Sequence, residues 1–162
     1  MFHLRWLSPL AIVLVALAFY ARPAAFAQPE AAAPAEGWRQ YHRAELGYSV
    51  PVPPAWVVDE FGLFLPEREV RIAPRDAEPS ETFLSVRLAD RPLDQITAAY
   101  AQAPGAAGQA VTFAGRPAWR YLTTGLRLET FVAQHGRVYL IITDRPDLPE
   151  VQQMLLGFTF SD

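Results

Sequence analysis

Residues Gly47–Val58 read GYSVPVPPAWVV. Tyr48, Val50 and Val52 alternate with Ser49 and Pro51, the two-residue period of a strand with one buried face. Proline has no N–H to give to a ladder, so Pro51 marks an edge position or a strand end. Pro53-Pro54 then stops pairing and sets an extended bend. Trp56 follows at once and is expected to fold under the bend as a largely buried core plug. The stretch predicts an edge strand that ends sharply and delivers an aromatic to the interior.

Strand signals continue on both sides of it. Trp38–His42 alternates as a first short strand, and Ala44–Gly47 is a turn. Val57-Val58, Leu63-Phe64-Leu65 and Glu69–Ala73 are three short strand candidates. Pro74–Glu81 is an acidic loop. Thr82–Ala89 alternates, with Leu84, Val86 and Leu88 inward and Ser85 and Arg87 outward. Leu93, Ile96 and Tyr100 recur at helical spacing, which predicts a helix over Pro92–Ala103, ended by Pro104-Gly105 and followed by a flexible link to Gly108. Ala110–Phe113, Pro117–Thr124 and Leu126–Gln134 are the next strands. Val138–Thr143, VYLIIT, is apolar on both sides, as in a central strand covered on both faces. Asp147 and Glu150 have the spacing of a capping box before a helix over Leu148–Leu156, whose face carries Leu148, Val151, Met154 and Leu155. Phe158–Phe160 closes the chain as a short strand. Asp90-Arg91-Pro92 and Asp144-Arg145-Pro146 each stand between a strand and a helix, the same turn chemistry used twice.

The first 27 residues have a different character. Arg5 precedes an apolar run from Leu7 to Tyr20, Arg22-Pro23 breaks it, and Ala25 and Ala27 are the small residues a signal peptidase reads. The run is shorter than a membrane span requires. A signal peptide over 1–27, cleaved between Ala27 and Gln28, is therefore expected. An Ala/Pro-rich tether covers 28–37, and a single domain covers 38–162. The chain has no cysteine, so disulfides, thiol catalysis, Cys-ligated metals and a lipid anchor on cysteine are excluded. The expected location is periplasmic or extracellular, with no stable membrane insertion after cleavage.

The 14 basic residues are all arginine against 17 acids, and Arg5 and Arg22 leave with the signal. An acidic balance of this kind does not suit nucleic acid or anionic lipid. No catalytic motif stands out. His42 and His135 are far apart and lack the spacing of metal ligands. Ser49, Ser80, Ser85 and Ser161 lie in no nucleophile elbow, and lysine is absent. Asp76, Glu78 and Glu81 lack the glycine turn of a calcium loop. No cofactor or metal is expected.

The remaining signal is aromatic. Trp119 and Tyr121 share one strand face, while Arg120 and Leu122 share the other. Arg116, Arg120 and Arg127 lie close across that hairpin. Arginine beside Trp and Tyr is the usual composition of a contact patch, so Arg116, Trp119, Arg120, Tyr121 and Arg127 form the candidate interaction surface. The alternative is a sheet face covered by a helix, with a charged reverse.

Three segments resemble the PsbP/Mog family, which includes the photosystem-II extrinsic subunit P, the Ran-binding Mog proteins and small exported bacterial relatives. They are Tyr48–Trp56, the turn Phe113–Ala118, and Gly136–Ile141 with the closing Gly157–Phe160. The order and spacing of these segments carry the resemblance, which spans Tyr41 to Phe160. The chain departs from the family pattern at Gly157, where Ser is usual, and between Phe61 and Thr82. The resemblance implies an α+β fold, a single antiparallel sheet with helices packed on its faces as an α/β/α sandwich. It also implies binding to other proteins rather than catalysis. The expected function is an exported, non-catalytic interaction module of the cell envelope, with an unidentified envelope or extracellular protein as partner. A small-ligand or lipid carrier with an apolar pocket is the alternative, and an unrecognised hydrolase the third.

Overall fold

A computed structural model describes residues 36–61, 69–103, 107–123 and 125–161. The signal peptide expected over 1–27, most of the expected tether and the strand expected at Leu63-Phe64-Leu65 lie outside the described residues.

The described strands form two sheets rather than the single sheet expected. β1 (Arg39–Arg43), β2 (Tyr48–Val52) and β10 (Thr159–Phe160) make a three-stranded sheet in the order β1-β2-β10. β3 (Trp56–Phe61), β4 (Glu69–Pro74), β5 (Leu84–Leu88), β6 (Ala107–Phe113), β7 (Arg116–Leu122), β8 (Leu128–Gln134) and β9 (Arg137–Thr143) make a seven-stranded sheet, in the order β3-β4-β5-β9-β8-β7-β6. The pairings between these strands are antiparallel. The physical reason for two sheets is Pro53-Pro54. These residues cannot extend the β2 ladder, and the Trp56 N–H instead donates to the Pro53 carbonyl at 3.1 Å, closing a turn from which β3 starts in the other sheet. β2 is paired on both sides at Tyr48 and Ser49. β10 stops there, so Pro51 faces β1 alone and its missing N–H costs no second ladder.

Two cores result. Tyr48, Val50 and Val52 of β2 pack against Val70, Ile72, Val86, Val132 and Ile141 of the large sheet. Val151 and Met154 of α2 (Pro149–Leu156) complete that layer. On the opposite face, Ile96 of α1 (Leu93–Ala101) packs on Tyr121, Phe131, Leu140 and Ile142. β9 is fourth of seven strands and is covered on both faces, as its apolar sequence requires. The Tyr139 hydroxyl donates to the Leu46 carbonyl at 2.6 Å, pinning the 3₁₀ turn Ala44–Leu46 onto the sheet centre. Arg43 ion-pairs with Glu60, and so ties β1 to β3.

Several local expectations are corrected. Trp56 is only half-buried, because β3 is an edge strand of its sheet; its ring meets Phe83 edge-on at 5.3 Å. The plug is Tyr48, with 0% exposure, stacked on Phe158 at 5.2 Å. Ser85 is not on an open face. It is buried on the α1 side, where its hydroxyl donates to Glu69 Oε1 at 2.6 Å. Asp147 does not cap α2: the cap residue is Leu148, with no side-chain cap bond, because Pro149 occupies the first helical position and moves the start by one residue. β6 begins at Ala107, so Gly108 belongs to a strand rather than to a link. The hairpin turns at Ala114-Gly115 (φ 47° and 74°) and His135-Gly136 (φ 49° and 72°) are both left-handed at two positions, the geometry of a two-residue turn between twisted strands.

Candidate functional site

The face of the large sheet that carries α1 is ordered by strand pairing. Cross-strand partners place Phe61, Glu69, Arg87, Leu140, Phe131, Trp119 and Ala110 in one row running from β3 to β6. The neighbouring row holds Arg71, Ser85, Ile142, Glu129, Tyr121 and Gly108. α1 has nine residues, too few to cover the whole face, and it lies over the middle of these rows. A groove remains on each side of it.

The groove on the β7 side has a volume of about 400 Å³ and is lined by Thr97, Ala98, Tyr100, Ala101, Gly108, Trp119 and Tyr121. Trp119 is 38% exposed and lies nearly parallel to Tyr121, 6.5 Å between ring centres. Tyr121 is buried and fixed in turn by Tyr100 at 4.2 Å and Phe131 at 6.0 Å. Gly108 makes this possible, since a Cβ there would stand 2.3 Å from Tyr121 Cε1. A glycine inside a strand marks such a close approach, and the reading of Gly108 as part of a link missed it.

Beneath α1 lies a charged network. Glu129, 8% exposed, accepts a bond from the Tyr100 hydroxyl and another from Arg127 Nε at 3.0 Å. Arg127 also reaches Asp144 at 3.7 Å. Burial, and then the bond to the Glu129 carboxylate, push the Tyr100 phenol well above the ordinary tyrosine range. Tyr100→Phe should therefore cost about 1.5 kcal/mol, the low end for a bond to a charged acceptor on a half-exposed residue. A urea melt of the two proteins measures it.

The five residues of the expected interaction surface do not form one patch. Trp119 and Tyr121 face α1 together, as their alternation requires. Tyr121 is core and unavailable for contact. Arg120 points to the opposite face, where Nε reaches Thr130 Oγ1 at 3.3 Å, and burial lowers its guanidinium pKa. Arg116 shares that opposite face by pairing with Phe113. Arg127 is engaged with Glu129 and Asp144 on the α1 side. Sequence alternation alone cannot see these partners.

Among the described residues one Ser–His pair comes together. Ser49 Oγ lies 3.1 Å from His42 Nδ1, across the β1–β2 ladder. The histidine is exposed, no bond among the described residues orients its second nitrogen, and neither residue lines either of the two grooves, so the pair reads as a cross-strand contact. His135 is an exposed turn residue. Among the described residues no three His, Asp or Glu side chains gather as metal ligands, and no helix is long and apolar enough to cross a membrane.

No family model matches the chain, and no curated protein is significantly similar to it. Solved structures resemble it weakly. The solution structure of cyanobacterial PsbP (CyanoP) from Synechocystis sp. PCC 6803 is 16% identical, with a TM-score of 0.47, over 76% of this chain and 92% of that one. A Pseudomonas aeruginosa protein of unknown function is 14% identical, with a TM-score of 0.25, over 67% and 86%.

Proposed function

We propose that this chain is an exported, non-catalytic protein-interaction module of the cell envelope, and that it docks through the Trp119 groove. The observation that carries this reading is Trp119 itself, a large aromatic left partly exposed on a buried tyrosine beside an open apolar groove. Its support from below fixes the ring in advance, so little freedom is lost on docking. Anchors of this kind dominate interface energetics. An aliphatic or aromatic side chain of a partner protein fits the groove chemically. The sequence resemblance to the PsbP/Mog family and the signal-like N-terminus support the same reading.

The carrier reading has one observation in its favour: about 400 Å³ is within the range of small-molecule pockets. Affinity capture from envelope extract separates the two. The interaction reading expects a defined protein retained by the mature wild-type chain and lost with Trp119→Ala. A small apolar molecule co-purifying in place of a protein would support the carrier.

Export is tested on its own. Mass spectrometry of the protein recovered from the exporting cell should find Gln28 at the N-terminus. A chain still beginning at Met1 overturns cleavage.

A further inference from the structure

The second groove, on the β5 side of α1, has a volume of about 220 Å³ and is lined by Arg87–Arg91, Ile96, Tyr100, Phe131 and Leu140. We propose that it binds a small monocarboxylate, with the carboxylate on the Arg87 guanidinium and a short apolar body along Ile96, Phe131 and Leu140. Arg87 is half-buried, and its guanidinium makes no hydrogen bond and no ion pair among the described residues. The carboxylates around it are engaged elsewhere. Glu69 stands directly opposite across the ladder, but accepts from Ser85 Oγ at 2.6 Å. Glu129 is held by Tyr100 and Arg127. Asp90, at the mouth, pairs with Arg91 at 3.5 Å. What remains is a guanidinium with free donors beside a small apolar wall, the little surface that Ile96, Phe131 and Leu140 leave open.

A guanidinium presents its N–H groups as a planar fork that matches a carboxylate through two parallel bonds. Desolvation by the wall strengthens that pairing. A phosphate would match the fork too, but its second charge would meet Glu69 and Asp90. Hexanoate, a carboxylate on a short apolar chain, represents this class. This inference is independent of the Trp119 docking reading, because Trp119 lies on the other side of α1.

Hexanoate titrated into the ¹⁵N-labelled protein tests it. Saturable backbone shifts are expected at residues 87–91, 96, 131 and 140, with none from 1-hexanol, hexylammonium or inorganic phosphate at equal concentration. Arg87→Gln should weaken hexanoate at least about tenfold, the loss of one charge-assisted pairing. Its spectrum elsewhere should be unchanged, and Arg87→Lys should restore part of the binding. Trp119→Ala should bind hexanoate as wild type does. Equal shifts from hexanol or phosphate, shifts confined to the Trp119 side, or undiminished binding by Arg87→Gln would each overturn the proposal. If Arg87→Gln fails to fold, the comparison of the four probes on the wild-type protein decides alone.

Discussion

Tyr48→Ala lowers the stability of the domain by about 3–5 kcal/mol, and Tyr48→Phe raises it by about 1 kcal/mol. The two signs come from two parts of one side chain. The ring is fully buried between the sheets, stacked on Phe158 and within 6.5 Å of both Tyr41 and Tyr139. Removing it loses the transfer energy of the largest fully buried side chain among the described residues and leaves a cavity between the two sheets. The hydroxyl is different. It is buried with no hydrogen-bond partner among the described residues, and a desolvated, unsatisfied group works against folding. Phenylalanine keeps the packing and removes that cost.

The same hydroxyl sets a pH dependence. Burial, and then the nearby Tyr41, raise the Tyr48 phenol far above the ordinary tyrosine range. A phenol raised in the folded state contributes stability that is complete below about pH 10, where the unfolded chain is still protonated, and lost as pH rises further. Wild type should lose stability above that pH more steeply than Tyr48→Phe. Urea melts at neutral and alkaline pH measure both effects. A Tyr48→Phe protein less stable than wild type at pH 7 would mean that the hydroxyl is bonded after all.

Trp119→Ala should weaken partner capture about thirtyfold or more, some 2 kcal/mol, while leaving the melting temperature nearly unchanged. The asymmetry follows from placement. Trp119 stacks on Tyr121 from outside, so its loss uncovers the groove without opening the core formed by Tyr121, Phe131 and Ile96. Tyr121→Ala would lose binding and fold together, and so cannot separate the two. Arg120→Ala is the informative control. It lies on the opposite sheet face, and capture should survive it. His42→Ala and His135→Ala should also leave capture intact. A turnover activity lost with either histidine would end the non-catalytic reading, since these are the two imidazoles between residues 28 and 162.

Much of the fold was legible because the period of each segment is local. The alternation at Tyr48–Val52, the two-sided apolar run at Val138–Thr143 and the Leu93, Ile96, Tyr100 spacing each stand in the sequence without reference to anything distant. So does the break at Pro53-Pro54, since proline's missing donor is a property of one residue. The sequence by itself thus determined these elements and the point where pairing must stop. It also determined that Trp119 and Tyr121 share a face.

Which sheet each strand joins was not local. β10 closes onto β2 from over a hundred residues away, adding the third strand of the small sheet and bringing Phe158 onto Tyr48. The candidate site was decided the same way. Alternation names the face of a side chain but not what covers it. The length and seating of α1 buried Tyr121, left Trp119 partly open and produced a groove on either side. The isolation of Arg87 depends on Glu69 being held by Ser85, and that of Arg120 from the α1 face on the pleat of β7. Burial and charge pairing are sums over neighbours from separate parts of the chain, and only the tertiary structure brings those neighbours together.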